Sequence, residues 1–185
     1  MAFFIYNEIK KILFMKKITR SVFTFLILLT VLPSIVEAYQ QEPTILLFVR
    51  HAERAEDGTR NPPISEKGKE RAENLSHIVS GYNIAAIYST PYKRTMMTAK
   101  PTADALSLDV QEYGLQGVEE FLKSIISKYS GKTILIVGHS NTTPALTNMV
   151  LGNERFEQLD EDKYGDLFVV ITTDFGRGAV ILNKF

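Results

Sequence analysis

Short apolar runs alternate with amphipathic segments from residue 44 to the end of the chain. The apolar runs have the length and composition of strands buried on both faces, whereas the segments between them have helical spacing. Four strands are predicted in this first part of the pattern: Thr44–Arg50, Ile84–Ser89, a weaker Leu108–Tyr113, and Thr133–Gly138. Strand–helix alternation of this kind predicts an α/β fold with a mainly parallel sheet.

The intervening segments predict four helices. The first covers residues 65–79 with Ser65 as N-cap, and the second covers residues 91–106 with Pro91 in its first turn. The third has one apolar face at spacings i, i+3, i+4, i+7, i+8 and i+11, which predicts core packing. Its members are Val118, Phe121, Leu122, Ile125, Ile126 and Tyr129. The fourth covers residues 142–151.

The last part of the chain predicts two more strands, Leu167–Thr173 and Ala179–Asn183, joined by a turn around Gly176 and Gly178. This hairpin should add an antiparallel edge to the sheet. The fold class expected is therefore a three-layer α/β sandwich with helices on both faces, formed by one domain over residues 39–185. In such sheets the ligand crevice lies beyond the carboxyl ends of the strands.

The first 38 residues have the pattern of a secretory signal peptide. Basic residues between Lys10 and Arg20 precede an uncharged apolar run from Ser21 to Val36, and small residues allow cleavage after Ala38. Met15 is an alternative start to Met1. Export to the periplasm or the medium is the expectation. An uncleaved membrane anchor is the alternative, although the run of about 16 residues is short against the ~20 that span a bilayer.

Composition excludes several classes of function. Removal of residues 1–38 takes away five basic and two acidic side chains and leaves a formal charge of −3. This balance does not suit a nucleic-acid partner or, after cleavage, a membrane surface. The chain has no cysteine and only three histidines, so neither a thiolate nor a multi-histidine metal site is expected, and no cofactor is predicted.

Cationic and imidazole side chains follow three of the predicted strands. Arg50, His51 and Arg54 follow the first strand, Arg94 follows the second, and His139 follows the fourth. Because these strand ends share one edge of a parallel sheet, the side chains should converge there. Such a cluster needs an anion, and the planar donors of arginine suit a phosphate group. A small phosphorylated molecule is the expected partner.

These segments resemble the signature of the histidine phosphatase superfamily, which includes phosphoglycerate mutases and acid phosphatases. The sequence blocks that carry the resemblance occur in the family's order: LFVRHAE at 47–53, NPPISEKG at 61–68, YSTPYKRT at 88–95 and VGHSN at 137–141. Together they cover the chain roughly from Thr44 to Leu151. RHA alone is a weak signal, but four blocks in order are specific.

The resemblance implies a role for each matched residue. His51 would be the nucleophile that forms a phosphohistidine, later hydrolysed by water. Arg50 and Arg94 would hold the phosphoryl oxygens, and Arg54 matches a phosphate-binding arginine of the acid phosphatase branch. His139 would donate to the oxygens of the transferring group. The chain is thus expected to be a metal-independent phosphoric monoester hydrolase.

The general acid is less clearly marked. Glu112, at the end of the third predicted strand, matches the position of a glutamate in the mutase branch and is the candidate. The acid phosphatase branch has an aspartate directly after its second histidine, where this chain has Ser140. Glu53, Asp57, Glu119 and Glu120 are also near the matched blocks.

Other interpretations stay open at this level. His77 is expected to be a surface or boundary residue, Arg54 could instead pair with Glu53 or Asp57, and Ser140 and Asn141 could cap the helix that follows. The chain could also be a catalytically silent module that binds phosphate or a phosphopeptide, or a phosphoglycerate mutase-type phosphotransferase. Substrate identity should depend on the loops at residues 53–63 and after Leu151.

Overall fold

A computed structural model describes residues 14–18 and 42–185 of the chain. Six strands form one mixed sheet in the order β3-β2-β4-β1-β5-β6. The strands are β1 (Thr44–Arg50), β2 (Ile84–Ser89), β3 (Val110–Glu112), β4 (Thr133–Gly138), β5 (Asp166–Thr172) and β6 (Ala179–Lys184). The predicted α/β class is confirmed.

The first four strands run parallel, and the C-terminal hairpin closes one edge antiparallel, as predicted. β4 lies between β1 and β2 and pairs in parallel with both. β5 pairs antiparallel with β1, and β6 pairs antiparallel with β5. The carboxyl ends of β1, β4 and β2 are therefore neighbours.

Four helices cover the two faces of the sheet. They are α1 (Glu66–Val79), α2 (Lys93–Leu106), α3 (Val118–Lys128) and α4 (Thr142–Leu151). α1 and α2 pack on one face, where Leu75 and Ala99 meet Leu47 and Leu135. α3 and α4 pack on the other, where Leu122 meets the alternate side chains of the same strands, such as Phe48. Because neighbouring strand residues point to opposite faces, the continuous apolar runs supply both cores.

Two predicted boundaries are wrong, for local reasons. Pro91 does not lie in α2: the helix begins at Lys93, after Tyr92 in an extended conformation. The Thr95 hydroxyl donates to Thr90 O and Tyr92 O, which holds the preceding residues in a turn. β3 has three residues rather than six, since it pairs only with the end of β2.

The predicted N-cap and the predicted apolar face are both confirmed. Ser65 caps α1, and its side chain accepts a hydrogen bond from the backbone N–H of Gly68. In α3, Leu122, Ile125 and Ile126 are buried.

The chain divides into two compact units, residues 1–41 and residues 42–185. Of the first unit only residues 14–18, a short helical segment, are described. The rest of the predicted signal peptide, with its cleavage site after Ala38, lies outside the described residues. Within the described ranges there is no helix with the length and hydropathy needed to cross a bilayer.

Candidate active site

The site begins where the parallel ladder ends. The backbone N–H of His51, one residue past β1, donates to Gly138 O at 2.9 Å, and that of Thr90, one residue past β2, donates to Val137 O at 3.4 Å. These bonds continue the strand pairing by one residue beyond each carboxyl end. They place His51, Thr90 and His139 side by side at one edge of the sheet.

The ring of His51 has a defined tautomer. Nδ1 lies 2.7 Å from the backbone oxygen of Ala52. Because a carbonyl oxygen can only accept, Nδ1 carries the proton and Nε2 has a free lone pair. The backbone N–H of Ala52 is in turn held by Thr98 Oγ1 at 2.9 Å, so α2 supports the residue that orients the ring.

The ring of His139 is held at both nitrogens. Nδ1 lies 3.3 Å from a terminal nitrogen of Arg94, which can only donate, so Nδ1 accepts. Nε2 then carries the proton and donates to Thr90 Oγ1 at 2.9 Å. The Thr90 hydroxyl donates onward to Thr95 Oγ1 at 3.1 Å. The ring is thereby tied to the first turn of α2.

The two imidazole rings lie close together and have the same charge state. Their centroids are 5.4 Å apart, with the ring planes at 69°. Burial lowers the pKa of His51 to about 3, with His139, Arg94 and Arg50 adding to the effect, while the hydrogen bond to Ala52 opposes it. Burial, with Arg94 and Arg50, lowers the pKa of His139 to about 4. Both rings are neutral at pH 7.

Most hydrogen-bond donors of Arg50 are used by the loop at residues 160–163, a contact that the sequence analysis did not predict. The side chain is 3% exposed, and its terminal nitrogens donate to Asp160 O and Lys163 O at 2.7 and 2.9 Å, and to Glu161 O at 3.1 Å. The guanidinium also lies over the ring of Tyr164, 4.2 Å from its centroid. Its Nε is buried with no hydrogen-bond partner. Nε is therefore the one nitrogen of Arg50 without a partner in residues 42–185, and a bidentate contact with an anion would require the terminal nitrogens to release the loop.

Arg94 and Arg54 lie at the same cavity with more of their donors free. The guanidinium of Arg94 lies over the ring of Tyr92, 4.6 Å from the centroid. Burial lowers the pKa of Arg94, with the charges of Arg54 and Arg50 adding to the effect. Arg54 is exposed, and within residues 42–185 it pairs with neither Glu53 nor Asp57. Three guanidinium groups close enough to oppose one another's charge constitute an anion site.

Glu161 brings a carboxylate to this site. Its Oε2 lies 3.3 Å from a terminal nitrogen of Arg50, and its Oε1 accepts from Ser140 Oγ at 3.3 Å. Ser140 therefore does not cap α4 through its side chain, and Asn141, the N-cap residue, makes no side-chain cap bond either. The side chain of Thr142 accepts from the backbone N–H of His139 instead.

These groups surround an open cavity of about 410 Å³. Its lining contains three arginines, one glutamate and two neutral histidines, an excess of two positive charges that matches a phosphate dianion. The lining residues are Arg50, His51, Arg54, Thr90, Tyr92, Arg94, Leu115, His139, Ser140, Asn141, Thr142, Gln158 and Glu161.

The structure brings together five of the six predicted site residues and leaves Glu112 aside. Glu112 is exposed at the end of β3, on the same edge of the sheet, but it does not line the cavity. Its role as proton donor stays a prediction. Glu53 is held by Arg71 at 2.7 and 2.8 Å and takes a structural role, and His77 is exposed on α1.

Sequence reasoning missed Thr90 and Glu161 as members of the site. Thr90 belongs to the second sequence block, so its place one residue past β2 was a usable signal. Glu161 had none, because Arg50 binds its loop mainly through backbone oxygens, which every residue possesses.

Comparison with known proteins agrees with this geometry. Residues 46–114 match the model of the histidine phosphatase superfamily (branch 1), a segment that includes His51 and Arg94. Over this segment, rather more than a third of the chain, the sequence is similar to the histidine phosphatase superfamily. One curated relative, phosphoserine phosphatase 1 of Hydrogenobacter thermophilus, is 39% identical over 71 residues. That alignment covers 35% of this chain and only about a third (34%) of the relative's length.

Solved structures share the fold of this chain at low identity. A phosphoserine phosphatase mutant from Entamoeba histolytica, bound to phosphoserine, has a TM-score of 0.61 and 15% identity, over 76% of this chain and 96% of that one. The protein histidine phosphatase SixA, complexed with tungstate, has a TM-score of 0.61 and 16% identity over the same shares. A mycobacterial glucosyl-3-phosphoglycerate phosphatase has a TM-score of 0.61 and 13% identity, over 78% of this chain and 99% of that one.

Proposed function

We propose that this chain is a metal-independent phosphomonoesterase that works through a phosphohistidine on His51. The observation that carries the proposal is the state of that ring: neutral, with its Nε2 lone pair free, in a cavity that holds three guanidinium groups. Resemblance to three phosphatases of one fold supports hydrolysis of a phosphorylated substrate rather than another use of the site.

In the first step the phosphoryl group binds among the guanidinium groups. Arg54 contributes exposed donors, Arg94 contributes donors of a half-buried guanidinium, and Arg50 contributes its buried Nε. Nε2 of His51 attacks phosphorus, so that an N–P bond forms while the bond to the ester oxygen breaks. The ester oxygen leaves with the bonding electron pair and takes a proton from water in the open cavity or from a general acid, for which Glu112 is the candidate from sequence. Positive charge around the equatorial oxygens lowers the barrier, as in other phosphoryl transfers.

In the second step water attacks the same phosphorus. A new O–P bond forms, the N–P bond breaks, and His51 recovers its lone pair as phosphate is released. Throughout, the hydrogen bond from Nδ1 to Ala52 O keeps the proton on the far nitrogen. This bond also stabilises the positive charge that the ring carries while it is phosphorylated.

The test measures turnover of an aryl phosphate by wild type and His51→Ala. His77→Ala is the matched control, because His77 is exposed and lies outside the cavity. We expect turnover that resists a chelator and is blocked by vanadate. Rapid quenching should trap an acid-labile, alkali-stable phosphoenzyme in wild type and His77→Ala only. Loss of turnover on chelation, or a phosphoenzyme that persists in His51→Ala, would contradict the mechanism.

The same proposal places the substrate among small phosphorylated molecules. The cavity of about 410 Å³ suits a small ester, and its excess of two positive charges suits one phosphate group. A mutase reaction would return the phosphoryl group to a phosphoglycerate. Assay of free phosphate against isomerised phosphoglycerate separates the two reactions.

We also propose that the chain is exported. The support is the pattern of residues 1–38, where basic residues precede an apolar run and a small-residue cleavage site. N-terminal sequencing of the protein from the expressing cell's periplasm or medium should begin at Tyr39. A chain that stays with the cytoplasmic or membrane fraction would contradict export with cleavage.

A further inference from the structure

Glu161 is the single acidic residue in the cavity lining of residues 42–185. Its side chain is 67% exposed, so the carboxylate is accessible to solvent. A carboxylate can accept about four hydrogen bonds. Arg50 and Ser140 use two of them, both at 3.3 Å. The carboxylate can therefore still contact a bound molecule.

The position of this carboxylate is determined by its backbone as well as its side chain. Arg50 binds the backbone oxygen of Glu161 itself and those of Asp160 before it and Lys163 after it. The backbone N–H of Leu159 donates to Ser140 O at 3.0 Å, which ties the loop to the residue after His139. Glu161 is thus held beside the predicted phosphoryl site.

A second charged group on the substrate will meet this carboxylate. Opposite charges a few ångströms apart attract and like charges repel, and both effects are moderate where water screens them. The terminal nitrogens of Arg50 already donate to the loop, so the arginine cannot turn toward an additional anion without losing these bonds.

We infer that Glu161 selects substrates by the charge of their leaving group. On the proposed phosphatase function, on which this inference rests, phosphate monoesters with an ammonium group close to the ester oxygen bind best. Esters with a second anion, such as a carboxylate, bind worst, and neutral alkyl esters lie between. Glu161 is a specificity-determining residue for an aminoalkyl phosphate class of substrate.

The test uses three probes of similar size: 2-aminoethyl phosphate, propyl phosphate and 2-phosphoglycolate. Each is measured as a competitive inhibitor of aryl phosphate hydrolysis, a readout that does not require the probe itself to be turned over. Wild type should bind the probes in that order. In Glu161→Gln the aminoethyl ester should lose about fivefold and phosphoglycolate should gain about fivefold, with propyl phosphate nearly unchanged.

Glu157→Gln is the matched control, because this glutamate is exposed on the same loop but lines a different cavity. It should keep the wild-type ratio. A general disturbance of the loop would weaken all three probes together and leave their ratio unchanged. An unchanged ratio of aminoethyl phosphate to phosphoglycolate in Glu161→Gln would overturn this inference. An absence of aryl phosphate turnover in wild type would instead remove the proposed function.

Discussion

At the scale of single residues, the charge of the two site histidines follows from their surroundings. His51 and His139 are withdrawn from water and lie beside Arg94 and Arg50. Water can no longer stabilise an imidazolium, and the neighbouring guanidinium groups oppose one. Nε2 of His51 therefore keeps its lone pair without first losing a proton, whereas both nitrogens of His139 are used by Arg94 and Thr90.

This neutrality predicts how stability depends on pH. Between pH 7 and pH 5 an unfolded histidine, with its ordinary pKa of 6.5, takes up a proton, whereas His51 and His139, with pKa values of about 3 and 4, do not. The unfolded state then binds more protons, so the free energy of unfolding falls as pH falls. The slope is at most about 1.4 kcal/mol per pH unit for each histidine.

Urea denaturation at pH 5, 6 and 7 measures this slope. His139→Gln, which can still accept from Arg94 and donate to Thr90, should reduce the slope between pH 5 and 7 to about half. His77→Gln removes an exposed histidine and should leave it unchanged. A protein equally stable at pH 5 and pH 7 would show that the two rings are not buried in their neutral form.

Arg94 has two roles at the cavity. It lines the cavity, and its terminal nitrogen orients His139 through Nδ1 at 3.3 Å. A hydrogen bond to a charged group contributes about 1.5–3 kcal/mol, so Arg94→Ala should raise the inhibition constant of vanadate about 10- to 100-fold. Arg60→Ala, at an exposed position outside the cavity lining, is the control. Equal vanadate affinity in both variants would remove Arg94 from the anion site.

The residues that sequence alone could place are those whose position the backbone dictates. His51 and His139 each come directly after a continuous apolar run, and parallel strands align their carboxyl ends. Glu161 reaches the same cavity from a loop without helical or strand periodicity. Its place depends on tertiary contacts with Arg50 and Ser140, which no local pattern encodes.

At the scale of elements, different residues hold the two halves of the loop between α4 and β5. The side chain of Asn148, in α4, accepts from the backbone N–H groups of Arg155 and Phe156 at 3.1 and 3.0 Å. Arg50, at the end of β1, binds the carbonyl groups of residues 160, 161 and 163. Asn148 and the residues that it binds are 7 and 8 positions apart, whereas Arg50 and its partners are separated by 110 to 113 positions.

Arg50→Lys should therefore loosen only the second half of this loop. A lysine keeps the charge but cannot form four hydrogen bonds in the geometry of a guanidinium. We expect amide hydrogen exchange at Leu159 and Lys163 to become at least tenfold faster, since the loss of hydrogen bonds to a charged group exceeds about 1.4 kcal/mol. Exchange at Phe156 should stay within about twofold of wild type.

Arg94→Lys serves as the control, because Arg94 makes no hydrogen bond to this loop. Exchange in the loop should match wild type in that variant. If Leu159 and Lys163 exchange equally fast in wild type and Arg50→Lys, the loop is held by something other than Arg50.

The observed helix and strand boundaries show which features of the fold hydrophobic periodicity does not predict. The apolar stripe of α3 predicted that helix because its amphipathic pattern is fixed by packing against the sheet. The start of α2 differed because Thr95 bonds to the carbonyl groups before the helix, a choice that the sequence pattern around Pro91 does not reveal. β3 is short because it pairs only with the last three residues of β2.

At the scale of the whole molecule, every residue of the site belongs to the unit formed by residues 42–185. The two larger hydrophobic cores also lie in that unit, one on each face of the sheet. Each core combines side chains of the central strands with those of two helices. A site formed from the ends of β1, β2 and β4 is therefore supported by both cores at once, and any change that unfolds one of them should remove the site.

This organisation predicts that the chain beginning at Tyr39 is a complete catalytic unit. It contains both cores and all the residues that line the cavity, so it should unfold in one cooperative transition, as small single domains do. Its kcat/KM for an aryl phosphate should lie within about twofold of that of the full chain, and His51→Ala in the shortened chain should abolish turnover. Measurement requires thermal denaturation and initial rates on both lengths of chain. A shortened chain that is folded but inactive would mean that residues before 39 contribute to the site, and one that cannot fold would mean that the two cores are not sufficient.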